Sequence, residues 1–161
     1  MEVVELKITR KDIQIISYLR RDSREMLTRL SKLTGVPVST IFDRLKLHKG
    51  GLIKKNTSLI DFQMLGFNSR AKVAIKVDRE DREDLKLVLK NHRNINSAYR
   101  INNGYDFMFE VLFRDMKELE DFIYSLETKF KIIDKHVYYI IDGIKEEEFL
   151  SNDDAEEIAF R

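Results

Sequence analysis

The sequence predicts an α+β fold in which three helices come first and a βαββαβ module follows. Apolar residues recur at helical spacing through the first fifty positions, and from Ala71 to Val77 every second residue is apolar, which is typical of a half-buried strand. With 161 residues, 43% hydrophobic and 35% charged, the chain is long enough for one large domain or two small ones with modest cores, and it does not have the composition of a disordered protein.

The first three helices each carry their own end signals. Thr9 and Asp12 form a capping box at the start of the first helix. A second helix covers Met26–Thr34, and Gly35 supplies the left-handed residue that ends it. The third helix spans Pro37–Lys49, because proline suits a first turn, which has no intrahelical donor to lose.

Three helices with a glycine turn before the third predict a helix-turn-helix, and a strand pair over Leu52–Asp61 would make it winged. A helix fits the major groove of B-DNA, where short polar and basic side chains reach bases and phosphates. The alternative is a generic three-helix bundle with solvated polar residues. The predicted DNA-binding residues lie on the third helix and the wing: Ser39, Thr40, Asp43, Arg44, Lys46, Lys54 and Lys55.

Charge is divided unevenly along the chain. Residues 1–60 hold 13 Lys and Arg against 6 Asp and Glu, a net charge of +7, whereas residues 61–161 hold 16 against 22, a net charge of −6. A basic segment on an otherwise acidic chain is typical of nucleic-acid binding, although an uneven solvated surface gives the same pattern.

The second half alternates strands and helices in the order βαββαβ, the ferredoxin-like split motif. A helix opens at Asp78, and Asn102-Asn103-Gly104 is a strong hairpin signal between two strands. The four predicted strands are Ala71–Val77, Ile95–Ile101, Phe107–Phe113 and Ile132–Ile141. Because the third strand reads as apolar on both faces, we expect a second copy of the sheet to cover it, which predicts a homodimer.

The N-terminal half resembles a known family. The runs ITRKDIQIISYLRRDSR and LTRLSKLTGVPVSTIFDRLKLHKGGLIKKNTSLIDFQMLGF are similar to the DNA-binding domain of the leucine-responsive regulatory protein (Lrp/AsnC) family. Pro37 and His48 depart from that pattern, because they replace a usual capping serine and a usual core leucine. The matching positions are Ile8-Thr9, Asp12, Ile15-Ile16, Asp22, Arg24, Leu30, Gly35, Ser39-Thr40-Ile41, Arg44, Gly51, Ile53 and Leu65-Gly66.

The second half resembles the ligand-sensing (RAM) domain of the same family. The resemblance implies a transcription regulator that dimerises through this domain, assembles further in many members, and binds an amino acid between dimers. A family turn reading Gly-Asp-Tyr-Asp is Asn103-Gly104-Tyr105-Asp106 here, and His136 and Tyr138 replace a usual threonine pair. The implied ligand-binding residues are Asn102, Asn103, Gly104, Tyr105, Asp106, His136 and Tyr138. The alternative is a plain hairpin turn, which favours the same Asn and Gly.

The sequence lacks the motifs of phosphate-binding, metal-binding and membrane proteins. The chain has no cysteine, no glycine-rich phosphate loop and no apolar run long enough to cross a membrane, which indicates a cytoplasmic protein without cofactor. The three histidines lie on separate elements, so no metal or catalytic residue is predicted. Two alternatives stay open: an enzyme like the haem-pathway decarboxylases, which share the architecture, and an oligomerisation partner that does not bind DNA.

These patterns predict four segments. Residues 1–61 form the winged helix-turn-helix, and 62–69 form a hinge. Residues 70–142 form the ferredoxin-like dimerisation and effector domain, and 143–161 form an acidic tail.

Overall fold

The computed structural model describes residues 7–161, which form two compact units. The first, here called the helical unit, contains the described residues up to Leu59 together with Ile144–Arg161. The second, here called the sheet unit, is Ile60–Gly143. The acidic segment predicted as a tail therefore packs with the helices. Residues 1–6 of the predicted first domain lie outside the described residues.

The helical unit contains the three predicted helices and one more. Their bounds are Arg10–Arg21 for α1, Leu27–Thr34 for α2, Val38–His48 for α3 and, in the acidic segment, Ala155–Ala159 for α6. The capping box of Thr9 and Asp12 is present at the start of α1. Gly35 follows α2 with a φ of 68°, as a left-handed cap requires. Ile15, Leu30 and Ile41 bring one buried residue from each of α1, α2 and α3 into a common core.

The strand pair predicted over Leu52–Asp61 is not formed. A single bridge joins Lys49 to Ile53 around the Gly50-Gly51 turn, and residues 54–60 are in no helix or strand. The reason lies in the polar run from Lys54 to Ser58, which offers no alternating apolar side chains to pack against the helices. The helix-turn-helix is present, and it is followed by a basic loop in place of a hairpin.

The sheet unit has the ferredoxin-like topology that the sequence predicted. Its elements are β1 at Ser69–Val77, α4 at Arg82–Asn91, β2 at Ile95–Arg100, β3 at Phe107–Phe113, α5 at Met116–Lys129 and β4 at Ile132–Tyr139. The strands lie in the order β2-β3-β1-β4, and every neighbouring pair is antiparallel. The last strand ends two residues before the predicted Ile141, and a short 3-10 turn, Arg79–Asp81, precedes α4.

The two faces of the sheet differ in composition. One face packs on α4 and α5 through buried apolar side chains that include Val73, Ile75, Phe109, Val111, Leu85 and Ile123. The prediction that β3 is apolar on both faces was wrong in part, because Glu110 lies between Met108 and Leu112 on the other face. Glu110 is buried there and its Oε1 lies 2.5 Å from Arg70 Nε on the neighbouring strand, so that face combines apolar and paired charged groups.

Candidate nucleic-acid interface and effector turn

The outer side of α3 is polar and accessible. Ser39, Asp43 and Lys46 are exposed as predicted, and Thr40 is half-buried. This arrangement follows from the helical repeat, because Ile41 faces the core and residues about half a turn away must face outward.

Two large apolar side chains on the same helix were missed by sequence reasoning. Phe42 is 55% exposed and Leu47 is 58% exposed. The helical spacing indicates their exposure. Residues three, four or seven positions from the buried Ile41 share its face of the helix, and neither Phe42 nor Leu47 lies at such a position. Exposed apolar groups on such a helix can contact the methyl group of thymine.

The structure places Arg44 differently from the prediction. Its Nη1 donates to both carboxylate oxygens of Asp12, at 2.7 and 2.8 Å, and to Thr9 Oγ1 at 3.1 Å. The side chain is 32% exposed, so this arm of the guanidinium faces into the helical unit. Arg44 therefore joins α3 to the start of α1 through Nη1, and its predicted contact with DNA stays a prediction.

Asp12 is the centre of this network. Its side chain is fully buried, and Oδ2 also accepts hydrogen bonds from the Thr9 backbone N–H at 2.7 Å and from the Thr9 hydroxyl at 2.6 Å. Burial alone would raise the pKa of Asp12, but the hydrogen bonds from Thr9 and Arg44 outweigh it and hold the pKa well below its ordinary value of 3.8. The capping box of α1 is thus also the anchor of α3.

His48, which replaces a usual core leucine of the family at the end of α3, lies beside the Asp12 carboxylate. It is 2% exposed, and its Nε2 is 3.0 Å from Asp12 Oδ1. Neither ring nitrogen has a partner with hydrogen-bond geometry among the described residues. The ring therefore lies against the Asp12 carboxylate in the interior of the helical unit.

The basic loop begins directly at the C-terminal end of α3. The Lys49–Ile53 bridge holds its first turn, and Lys54 and Lys55 follow, both exposed. Within the part of the chain that the structure describes, neither these two lysines nor Lys46 has an ion-pair partner. Unpaired ammonium groups beside an exposed helix are suited to phosphate contacts.

The predicted effector turn forms the β2–β3 hairpin connection. Asn102, Asn103 and Gly104 are exposed, and the last two have φ values of 63° and 89°. Positive φ at two successive positions explains the Asn-Gly pair, because these residues adopt the left-handed region at low cost.

Tyr105 lies with two of the other predicted ligand residues. Its hydroxyl donates to Asp134 Oδ2 at 2.8 Å, its ring centroid is 5.5 Å from that of His136, and His136 is 6.1 Å from Tyr138. The hydrogen bond to Asp134 raises the pKa of Tyr105, and the same bond lowers the pKa of Asp134. The aromatic group formed by Tyr105, His136 and Tyr138 therefore spans the turn and β4.

Asp106 does not belong to that group. Its Oδ2 accepts the backbone N–H of Val77 at 3.0 Å, and its Oδ1 lies 2.8 Å from Arg82 Nη2. Both oxygens therefore already have donors, which join the residue before β3 to β1 and α4, and ligand binding by Asp106 stays a prediction.

A groove of about 410 Å³ lies between α4 and β2. Leu89, Ile95 and Phe107 give it an apolar floor, and Arg100 and Lys90 stand at its rim. Of the predicted ligand residues, Asp106 alone lines this groove, so the groove and the aromatic group are separate features.

Comparison with known proteins decides the family. Residues 70–148 match the family model of the Lrp/AsnC ligand binding domain. An HTH-type transcriptional regulator of Pyrococcus horikoshii, FL11, is 32% identical over 113 residues, which cover 70% of this chain and 75% of the relative. The chain belongs to the Lrp/AsnC family. The FL11 protein of Pyrococcus furiosus is also 32% identical over 113 residues, with the same coverage.

Solved structures of Lrp/AsnC proteins share the fold over most of this chain. LrpC of B. subtilis superposes with a TM-score of 0.78 at 24% identity and covers 87% of this chain and 99% of its own. A transcriptional regulator of Neisseria meningitidis in complex with L-Met gives a TM-score of 0.79 at 19% identity, over 87% of this chain and 94% of that one. At this level of identity the structures establish the fold, a helix-turn-helix followed by a ferredoxin-like domain.

The relatives named above bear on the alternatives to a transcription regulator. Both are HTH-type transcriptional regulators. Among residues 7–161, no group of three or more His, Asp or Glu side chains is arranged to hold a metal ion. No helix in that range has the length and apolar character needed to cross a membrane.

Proposed function

We propose that this Lrp/AsnC protein is a sequence-specific DNA-binding transcription regulator that dimerises through the sheet unit and responds to a small polar metabolite. The observation that carries the proposal is the outer side of α3, where Ser39, Asp43 and Lys46 are accessible and the basic loop follows directly. Short polar side chains on an exposed helix select bases, and unpaired lysines hold phosphates. Selection of bound sequences from a random duplex pool tests the proposal.

Lys55→Ala is expected to lower affinity for every duplex by a similar factor and to reduce the slope of log affinity against log salt by about one. The reason is that an exposed, unpaired lysine contributes one phosphate contact and releases about one counterion. Fluorescence anisotropy over a salt series measures both quantities. Lys90→Ala removes a lysine of the sheet unit that is also exposed and is the matched control; an unchanged slope in Lys55→Ala would contradict the phosphate role.

Dimerisation is proposed through the sheet face opposite α4 and α5. Register places Tyr99 beside Met108 on that face and Tyr138 beside Lys72, and the two tyrosines are 60% and 56% exposed. Arg70 and Glu110 form an ion pair at the middle of the face, and Lys72, opposite Glu110 in the register, is exposed there. Large exposed aromatic groups around a paired charge suit a two-fold interface, and a dimer would present two α3 helices to a near-palindromic site.

Tyr99→Asp is expected to raise the dissociation constant of the dimer by about 30-fold, because it places a charge where an aromatic side chain is buried by the partner. Multi-angle light scattering over a dilution series measures the change. Tyr124→Asp is the matched control, since Tyr124 is 70% exposed on α5, away from the proposed interface. A monomeric wild-type chain, or equal effects of the two substitutions, would contradict this interface.

The effector is placed at the aromatic group of Tyr105, His136 and Tyr138. These residues offer two ring faces, a hydroxyl and an imidazole next to the accessible backbone of the Asn103-Gly104 turn. Such a set suits a small polar molecule with a cationic or planar group. The Neisseria meningitidis relative binds L-Met, which supports an amino acid as the first class of ligand to test.

A further inference from the structure

Residues 144–161, here called the C-terminal segment, dock on the last turn of α1. Arg20 donates from Nε to the Phe149 carbonyl at 2.9 Å and from Nη2 to the Glu147 carbonyl at 2.5 Å. The same guanidinium lies 3.4 Å from a carboxylate oxygen of Glu147. One arginine at the end of α1 therefore holds two backbone carbonyls and one charge of the C-terminal segment.

The neighbouring arginine makes a second set of contacts. Arg21 donates from Nε to the Ser151 carbonyl and from Nη2 to Asp153 Oδ1, the latter at 2.5 Å. Planar guanidinium groups that each take more than one acceptor fix position as well as charge. The docking is thus specific in geometry and not a diffuse attraction between acids and bases.

Apolar packing completes the contact. α6 lies against α1, Ala155 is 2% exposed, and the Phe160 ring lies 5.5 Å from the guanidinium carbon of Arg10. The chain turns sharply to reach this position, since Glu147 and Leu150 both have positive φ, an unusual conformation for residues other than glycine. The contacts with Arg20 and Arg21 at the end of α1 offset this local cost.

The docked segment changes the charge of the whole helical unit. It holds 7 Asp and Glu against 2 Lys and Arg, a net charge of −5, whereas residues 1–59 carry 13 Lys and Arg against 6 Asp and Glu, a net charge of +7. Docking therefore leaves the unit with a net charge of +2. Three of the acids, Asp154, Glu156 and Glu157, have no hydrogen-bond or ion-pair partner for their side chains among the described residues, so their full charge contributes to the field around the unit.

We propose that the docked C-terminal segment is a built-in attenuator of DNA binding: by holding unpaired carboxylates on the helical unit, it lowers the affinity of that unit for any duplex. This inference rests on the proposed DNA-binding function. The physical basis is that non-specific affinity depends on the positive potential that meets the phosphates, and fixed acids within about a Debye length reduce that potential. Because this electrostatic contribution does not depend on base sequence, the segment is expected to lower affinity for operator and random duplexes by a similar factor.

The test neutralises the three unpaired acids without disturbing the docking contacts. Asp154→Asn/Glu156→Gln/Glu157→Gln is expected to bind a non-operator duplex about three- to ten-fold more tightly at about 50 mM salt, and the gain should shrink towards none at about 300 mM. Circular dichroism and thermal unfolding check that the variant stays folded. The matched control, Glu80→Gln/Asp84→Asn/Asp142→Asn, makes the same change in net charge at exposed acids of the sheet unit and is expected to change affinity by less than about two-fold.

The outcomes separate the two proposals. If the wild type binds duplex DNA and the segment variant binds no better, or gains no more than the sheet-unit control, the attenuator is wrong while the DNA-binding function stands. If none of the three proteins binds duplex DNA at any salt concentration, both proposals are contradicted. A gain confined to the segment variant at low salt supports the attenuator.

Discussion

Asp12→Asn is expected to lower the free energy of unfolding of the helical unit by about 3 kcal/mol, the lower end of the cost of breaking a buried ion pair. The substitution leaves the Arg44 guanidinium without its counter-charge and weakens the hydrogen bonds that join α1 to α3. Because Arg44 is 32% exposed, water recovers part of the loss. Hydrogen exchange of the peptides that cover α1 and α3 measures the change in this unit separately from the sheet unit.

The pH dependence of stability gives an independent check on Asp12. Its pKa in the folded chain lies below the ordinary value of 3.8, so the unfolded state binds the proton more readily. The stabilisation is therefore complete at neutral pH and is lost as the pH falls below about 5. The free energy of unfolding of the wild type should therefore decrease as the pH falls below about 5. That of Asp12→Asn should decrease less, because the amide does not titrate. Asp43→Asn, which replaces an exposed acid on α3, is the control. Equal stability of Asp12→Asn and Asp43→Asn would falsify the role of Asp12.

The fold could be predicted from the sequence because local and long-range signals agree. The capping box at Thr9, the left-handed Gly35 and the alternation from Ala71 to Val77 each specify a local conformation, and the structure has all three. The β2–β3 connection follows from the Asn103-Gly104 pair in the same way. Where the alternation is missing, as over Lys54–Ser58, the predicted strand pair is also missing.

The partners of charged side chains could not be predicted in the same way. Helical periodicity leaves Arg44 at a boundary position, and only the approach of α1, more than thirty residues earlier, decides that its guanidinium turns towards Asp12. The same applies to Glu110, which interrupts an apolar strand and finds Arg70 across the sheet. The acidic run after residue 143 gave no periodic signal, so its docking on Arg20 and Arg21 depends on contacts that no local pattern contains.

Asp106→Asn is expected to lower the free energy of unfolding of the sheet unit by about 2 kcal/mol, in the range for hydrogen bonds to a charged group. The carboxylate accepts the Val77 N–H at the end of β1 and faces Arg82 at the start of α4, so an amide keeps at most part of each interaction. Hydrogen exchange at the end of β1 measures the loss. Asp142→Asn, an exposed acid of the same unit, should change stability by less than about 0.5 kcal/mol.

Asp106→Asn also helps to identify which site binds the effector. Calorimetric titration with the common amino acids at millimolar concentration identifies a ligand, and the titration is then repeated below the unfolding temperature of each variant. If the aromatic group binds it, His136→Ala should weaken binding by about ten-fold or more, because it removes the ring between Tyr105 and Tyr138. Folded Asp106→Asn should retain binding, since that carboxylate already serves the Val77 N–H and Arg82. The opposite pattern, loss in Asp106→Asn with His136→Ala unchanged, would place the ligand in the groove between α4 and β2, which Asp106 lines and His136 does not.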